Sequence, residues 1–245
     1  MKSSGTIRSY YVALVRRWGP QNWWPAQSRF EVIAGAFLTQ NTAWGNVEKA
    51  IANLRRARVL SVKGTREITQ AELEQLVRPS GYFRQKAQRL KGFIEFLDAQ
   101  YGGSLDRMFA QPTEKLRAEL LALNGVGPET ADSILLYAGH HPVFVVDAYT
   151  RRILERHGII GAKTGYEEIR ALVEQGISQA KPESLRVKER GTDPRHAVSR
   201  ISARRRGALV QHYNEFHALI VRTGVEYCRS TPQCKGCPLE KFLLS

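Results

Sequence analysis

The 245-residue sequence lacks several features that would assign it to other classes of protein. It has no apolar run near the ~20 residues that a membrane-spanning helix needs. Its first residues show no secretory signal peptide. Its three cysteines are an odd number and are clustered near the end, which argues against a disulfide scaffold. Since 42% of the residues are hydrophobic and 24% are charged, we expect a globular, cytoplasmic protein without a membrane partner.

Acidic residues are scarce relative to basic ones. The chain has 37 Lys and Arg against 23 Asp and Glu, which gives a net charge of +14. Such an excess attracts polyanions, of which nucleic acid is the commonest, although a surplus that serves only solubility is an alternative. The stretch 181–206 is especially basic and has little apolar periodicity. We interpret it as a solvated loop that either has no function or contacts a DNA backbone.

Strand-forming segments are also scarce, because Val143–Val146 is the clearest candidate and is too short and isolated to build a sheet. Apolar residues recur instead at helical spacing along most of the chain. This periodicity is seen in 29–57, 71–77, 83–100, 105–123, 129–138, 147–157 and 208–223. The sequence therefore predicts an all-α fold.

A glycine-containing turn and an aspartate are the first candidates for chemistry. Gly125 and Gly127 follow an apolar helix and precede a second helix, so the backbone can turn sharply and approach a partner closely. The free N–H groups of the second helix suit a phosphate, although an ordinary helix end is also common. Asp147 follows four apolar residues and precedes another helix, which on its own indicates an N-cap.

Four motifs along the chain, one of which contains the glycine turn and Asp147, form a larger pattern. They are the turn with Asp147 eighteen residues after Glu129, the segment Leu38-Thr39-Gln40-Asn41-Thr42, the segment Gly81-Tyr82-Phe83-Arg84-Gln85-Lys86-Ala87, and His217, Ile220 and Gly224 before Cys228. Over about residues 25–240 the chain resembles the helix-hairpin-helix DNA glycosylases of the endonuclease III superfamily. The resemblance implies two helical domains flanking a cleft for DNA and a flipped-out base. A six-helix domain would span 30–145, and residues 1–29 plus 146–245 would form the other.

The resemblance also implies residue roles. Asp147 would be the catalytic carboxylate, since an anion stabilises the positive charge that develops on the sugar and can orient the attacking water. The residues that it places at the DNA are Gln40, as the wedging side chain, with Lys86, Gly125, Gly127 and Thr130. Bifunctional members carry a lysine for Schiff-base formation where this chain has Glu129. The sequence therefore predicts base hydrolysis without strand cleavage.

Three of the four tryptophans lie near the predicted base pocket. Trp23, Trp24 and Pro25 precede the first core helix, and Trp44 follows the Gln40 motif. This pattern is similar to that of the 3-methyladenine glycosylases of the superfamily. It implies that Trp23 and Trp44 sandwich the base while Trp24 and Pro25 form a wall, although core packing is the commoner use of tryptophan. N-alkylated purines are cationic, and indole faces bind cations well.

The cysteines resemble an incomplete iron–sulfur loop. Cys228, Cys234 and Cys237 match the first three positions of a pattern close to C-x5-C-x2-C-x5-C, and the fourth position is Leu243. A [4Fe–4S] cluster uses four ligands. The loop would therefore hold a cluster with only three Cys ligands and an outside ligand, or persist without metal.

Together these observations predict a monofunctional DNA glycosylase of base excision repair that removes alkylated purines, chiefly 3-methyladenine. The alternative within the fold is a glycosylase for uracil, mismatched thymine or oxidised pyrimidines. A non-catalytic DNA-binding module is disfavoured because Asp147 is present. The expected partner is double-stranded DNA that contains a damaged base, and the expected state is a monomer associated with the nucleoid.

Overall fold

The computed structural model describes residues 2–178, 198–204 and 206–243, with side chains from residue 5 onward. No β-strand forms within these ranges, so the prediction of an all-α fold is confirmed. No helix in the same ranges is long and apolar enough to cross a membrane. Most of the basic stretch 181–206 lies outside the described residues.

The chain packs as two compact units, Ala26–His141 and Met1–Pro25 with Pro142–Ser245. The helices of the first unit, here called the hairpin unit, are α2 (Arg29–Leu38), α3 (Trp44–Arg56), α4 (Val62–Glu67), α5 (Gln70–Val77), α6 (Phe83–Tyr101), α7 (Leu105–Phe109), α8 (Thr113–Leu121) and α9 (Pro128–Ser133). Those of the second, here called the terminal unit, are α1 (Lys2–Trp18), α10 (Ala148–Arg156), α11 (Tyr166–Ser178) and α12 (Ala208–Glu226).

Helix α2 is the central helix of the hairpin unit. Its sequence is apolar almost all round, and its residues from Phe30 to Leu38 are buried. The Ser28 hydroxyl caps its first turn by accepting a hydrogen bond from the Glu31 N–H at 3.1 Å. The helix packs against α3, α6 and the turn of π-helix at Ile134–Gly139 that continues α9. This packing fixes the position of Gln40 immediately after the C-terminus of α2.

The apolar stripe at 105–123 is interrupted in the structure. Helix α7 ends at Phe109 and α8 begins at Thr113. Pro112 lies between them, and its missing N–H and its clash with the preceding residue disfavour a continuous helix there. The shorter α8 is the helix that enters the glycine turn.

Helix α12 is the central helix of the terminal unit. Most of its residues from Val210 to Gly224 are buried, and it packs against α1, α10 and α11. At Gly224 an added Cβ atom would lie 2.1 Å from the Tyr149 ring, so glycine allows α10 to approach α12 closely. This approach brings the start of α10 next to the middle of α12.

Candidate active site and nucleic-acid interface

Asp147 is the N-cap residue of α10. Its Oδ1 atom accepts hydrogen bonds from the Thr150 N–H at 2.7 Å and from the Thr150 hydroxyl at 2.8 Å. The preceding buried segment is held by Tyr166, whose hydroxyl accepts from the Val146 N–H at 3.2 Å. The N-cap interpretation of Asp147 is therefore confirmed, and the cap fixes the orientation of the carboxylate.

A histidine that the sequence analysis did not assign to the site faces the same carboxylate. His217 Nε2, on α12, lies 3.6 Å from Asp147 Oδ2, and the two side chains are only 7% and 11% exposed. Burial alone would raise the pKa of Asp147, but the interaction with His217 and the hydrogen bonds from Thr150 outweigh it and leave the pKa below its usual value. Asp147 is thus held as an anion in a nearly dry environment.

The glycine turn joins α8 to α9. Gly125 has a φ of +75°, a left-handed conformation that favours glycine, and its position is fixed by the hydrogen bond from the Val126 N–H to the Leu123 carbonyl at 3.1 Å. Gly127 has φ −91° and ψ 175°, which any residue adopts. An added Cβ atom at Gly127 would meet nothing within 4 Å. Neither the conformation nor the packing within the protein requires glycine at 127.

A buried ion pair braces the two helices of this turn. Arg117 on α8 donates to both carboxylate oxygens of Asp132 on α9, at 2.7 and 3.1 Å. Their side chains are 9% and 0% exposed, so the pair is shielded from solvent. Such a bidentate pair fixes the relative orientation of the helices as well as their separation.

Gln40 bonds to the turn rather than extending away from it. Its Nε2 atom donates to the Gly125 carbonyl and to the Thr130 hydroxyl, both at 3.0 Å. Its Oε1 atom accepts from Arg89 Nη1 at 2.5 Å. The structure therefore brings three predicted DNA-contacting residues, Gln40, Gly125 and Thr130, into one cluster, although a wedging role requires Gln40 to exchange these bonds.

Lys86 is a correction to the predicted DNA contacts. Its side chain is buried, and its ammonium donates to the Leu38 carbonyl at 2.9 Å and to the Ser80 carbonyl at 2.6 Å. Burial, with a contribution from the charge of Arg89, lowers its pKa to about 8. Lys86 therefore ties the end of α2 to the start of α6 and presents no charge to a phosphate. A motif gives the residue type but not the direction of the side chain.

The Trp23–Trp24 segment is anchored within the terminal unit. Trp24 is buried and Trp23 half-buried, and their rings lie 5.7 Å apart between centroids. The Ser199 hydroxyl donates to the Trp24 carbonyl at 2.9 Å. Glu215 Oε2 accepts from the Gln21 N–H at 2.6 Å. Burial raises the pKa of Glu215 even though backbone N–H groups partly offset it.

Pro25 and Trp44 complete the predicted base-contacting residues. Pro25 is exposed, next to Trp24. Trp44 is the first residue of α3, and its Nε1 atom donates to Glu48 Oε1 at 3.0 Å, one turn along the same helix. The Trp44 ring is half-buried, which leaves part of it accessible. Trp44 belongs to the hairpin unit, whereas Trp23 to Pro25 belong to the terminal unit.

The cysteine loop does not supply a four-thiolate site. Cys228, Cys234 and Cys237 are free thiols, and Leu243 stands at the fourth position. Within the described ranges no three or more histidine, cysteine or acidic side chains are arranged to hold a metal ion. Arg156 organises the loop instead, donating to Cys228 Sγ at 3.3 Å and to the carbonyl of Arg229 at 2.6 Å. These residues do not fit a [4Fe–4S] cluster with four cysteine ligands, and we assign the loop no step in the reaction.

Known proteins share this architecture. Over 240 residues the chain is 40% identical to MJ1434 of Methanocaldococcus jannaschii, whose name describes it as a candidate DNA repair glycosylase; the match covers 98% of this chain and 96% of that protein. The Helicobacter pylori 3-methyladenine DNA glycosylase MagIII, solved with bound 1,N6-ethenoadenine, is 29% identical, with a TM-score of 0.74 and coverage of 91% and 97%. An endonuclease III trapped covalently on DNA has the same fold at 20% identity, with a TM-score of 0.70 and coverage of 96% and 93%.

The family profile agrees with these likenesses. The profile of the HhH-GPD superfamily base excision DNA repair proteins matches residues 34–179, which include the glycine turn and Asp147. The chain belongs to the HhH-GPD superfamily of base excision DNA repair proteins and is a DNA glycosylase.

Proposed function

We propose that this chain hydrolyses the N-glycosidic bond of alkylated purines in DNA, chiefly 3-methyladenine, without cleaving the strand. The observation that carries the catalytic part is the Asp147 carboxylate, which its contacts with Thr150 and His217 keep ionised in a nearly buried position. The 29% identity to a 3-methyladenine glycosylase over 91% of the chain supports the choice of substrate.

The reaction would proceed with Asp147 as the principal charged group. As the glycosidic bond breaks, its electron pair leaves with the base and positive charge develops on the sugar. Because Asp147 Oδ1 already accepts two hydrogen bonds, Oδ2 is the oxygen that would stabilise this charge and orient the water. The water oxygen bonds to the sugar C1′ atom, and its proton passes to the carboxylate and then to solvent.

The residue at the position of the Schiff-base lysine supports hydrolysis without strand cleavage. Glu129, an exposed carboxylate on the first turn of α9, stands where the bifunctional members of the superfamily carry a Schiff-base lysine. A carboxylate cannot form an imine with the sugar. No lysine occurs between Lys115 and Lys163, so neighbouring sequence does not replace it.

DNA would be held through its backbone. The turn leaves the backbone of Gly127 exposed, with no protein atom where a Cβ would lie, and the chain carries a net charge of +14. Backbone contacts position a protein on DNA but carry no sequence information. We therefore expect binding that depends steeply on salt and little on sequence.

Base selection would rest on the tryptophans. Trp44 and Trp23 are both half-buried, so part of each side chain is accessible to solvent. A cationic alkylpurine gains both stacking, about 1–3 kcal/mol, and cation–π attraction, about 0.5–2 kcal/mol. Such a base is also a good leaving group, so a single carboxylate can suffice for its removal.

The test is excision by the wild-type chain from duplexes that carry different lesions. The panel contains 3-methyladenine and 1,N6-ethenoadenine on one side, and uracil, mismatched thymine and an oxidised pyrimidine on the other. We expect release of the alkylated purines, with strand breaks only after alkali and no adduct trapped by borohydride. Excision confined to the neutral pyrimidines would contradict the substrate, and efficient trapping would contradict hydrolysis without strand cleavage.

A further inference from the structure

Asn214 is a buried amide without a hydrogen-bond partner. Its side chain on α12 is 0% exposed, and neither its Nδ2 nor its Oδ1 atom is hydrogen-bonded in the described part of the chain. About nine in ten buried polar groups are paired in folded proteins, and the penalty for an unpaired one is substantial. A side chain that lacks both hydrogen bonds in the free protein is therefore a candidate for contact with a bound ligand.

Asn214 is close in sequence to two residues of the predicted site in the terminal unit, one beside the carboxylate and one beside the tryptophan segment. His217, three residues further along α12, shares its face of the helix and lies 3.6 Å from the Asp147 carboxylate. Glu215, the next residue, accepts the Gln21 N–H that precedes the Trp23–Trp24 segment. Asn214 is therefore adjacent to Glu215, which anchors the tryptophan segment, and one helical turn before His217, which faces the carboxylate.

A second unpaired amide lies in that segment. Asn22 has a left-handed backbone with a φ of 52°, and its Nδ2 atom is buried without a partner in the described residues. Its backbone N–H bonds to Glu215, the neighbour of Asn214. Two unpaired amides therefore occur on two segments that Glu215 joins through backbone hydrogen bonds.

We propose that Asn214 reads the hydrogen-bonding edge of the flipped-out base, with Asn22 as a second donor. This inference rests on the proposed function. An amide offers a donor and an acceptor side by side, which matches the amino group and adjacent ring nitrogen of an adenine-type base. Stacking on tryptophan does not distinguish one purine from another, whereas such an edge contact does. In the free protein the unpaired amide lowers stability, and the base supplies the missing bonds.

The experiment compares wild type with Asn214→Leu, a variant of similar size that has no polar atoms. We expect the variant to melt at or above the wild-type temperature, because the orphaned amide is gone. We expect its single-turnover excision of 3-methyladenine to fall about 10- to 150-fold, the loss for one unpaired group in a dry site. Its affinity for undamaged DNA should not change. The matched control is Asn53→Leu, whose amide donates to the Leu76 carbonyl at 3.0 Å; it should lower the melting temperature and leave excision unchanged.

A second substrate distinguishes hydrogen bonding to the base edge from steric fit of the base. Wild type should prefer 3-methyladenine over a 3-methylpurine without the amino group, and Asn214→Leu should lose that preference. Equal excision by wild type and Asn214→Leu, an unchanged preference, or a loss of excision that follows a lower melting temperature would overturn the role of Asn214. Failure of the wild-type chain to excise any base in the panel would instead overturn the proposed function, and this inference with it.

Discussion

Substitutions at the two glycines of the turn distinguish an effect on DNA binding from an effect on folding. Gly127→Ala places a methyl group where no protein atom lies within 4 Å, on a backbone that alanine adopts without strain. The substitution should leave folding unchanged or stabilise it by about 0.4–1 kcal/mol, because alanine restricts the unfolded chain. If a DNA phosphate approaches this backbone, the methyl group occupies its place.

The expected loss in binding follows from one phosphate contact. A hydrogen bond to a charged group contributes about 1.5–3 kcal/mol, so removing one weakens binding about 10- to 150-fold. The loss should be the same for damaged and undamaged duplexes, since the phosphate carries no base information. Fluorescence anisotropy at fixed salt measures the affinity, and thermal denaturation measures the stability.

Gly125→Ala is the contrasting variant. It forces alanine into a left-handed conformation, which costs about 1–2 kcal/mol, and its Cβ atom would lie 2.0 Å from Arg89 Nε. It should therefore lower stability and binding together and disturb the bond from Arg89 to Gln40. Wild-type affinity in a stably folded Gly127→Ala protein would refute the assignment of this turn to the DNA backbone.

Three further predictions concern other parts of the account. Trp44→Ala should reduce excision about 10- to 1000-fold, and the loss should be larger for 3-methyladenine than for any neutral base. Trp44→Phe should reduce excision far less, because an aromatic ring remains. Equal losses on charged and neutral bases would show that the ring only shapes the pocket. Arg117→Met should destabilise the hairpin unit by about 3–5 kcal/mol in urea titrations, since it removes the bidentate charged partner of the buried Asp132 carboxylate. Adding Asp132→Leu should restore most of the loss, and additive effects would contradict the pairing. Because the folded pKa of Asp147 is lowered, its stabilising contribution is full above the unfolded value of 3.8 and is lost only as pH falls through the folded value. Single-turnover excision by the wild type should therefore not fall between about pH 7 and 5, and a fall in this range with unchanged DNA affinity and melting temperature would contradict this.

The sequence predicted the features that depend on residues close to one another in the chain, namely helices, a helix cap and a turn. Helical periodicity identified most of the helices, but it missed α4, α11 and the break at Pro112. The apolar run before Asp147 with the helix after it correctly predicted an N-cap. The left-handed backbone at Gly125 follows from the same kind of evidence, because only glycine adopts it without cost.

Long-range packing decided the rest. The Lys86 ammonium is held by the nearby Ser80 carbonyl and by the Leu38 carbonyl, 48 residues earlier in the chain, and this second contact is not predictable from the spacing of residues. His217 lies close to Asp147 because α12 packs on α10, an approach that Gly224 allows. A histidine on an otherwise apolar helix face is the weak signal that could have identified it. The isolation of Asn214 is likewise a property of the packed unit and has no signature in the sequence.

The most direct test of the central claim is single-turnover excision by Asp147→Asn. Asparagine can still accept the bonds from Thr150, so the cap and the melting temperature should persist. The account predicts that excision falls at least about 100-fold while DNA affinity is equal or tighter. The matched control is Asp106→Asn, whose exposed carboxylate pairs with Arg29 and should leave excision unchanged. Near-wild-type excision by a folded Asp147→Asn protein would contradict the catalytic role of this carboxylate.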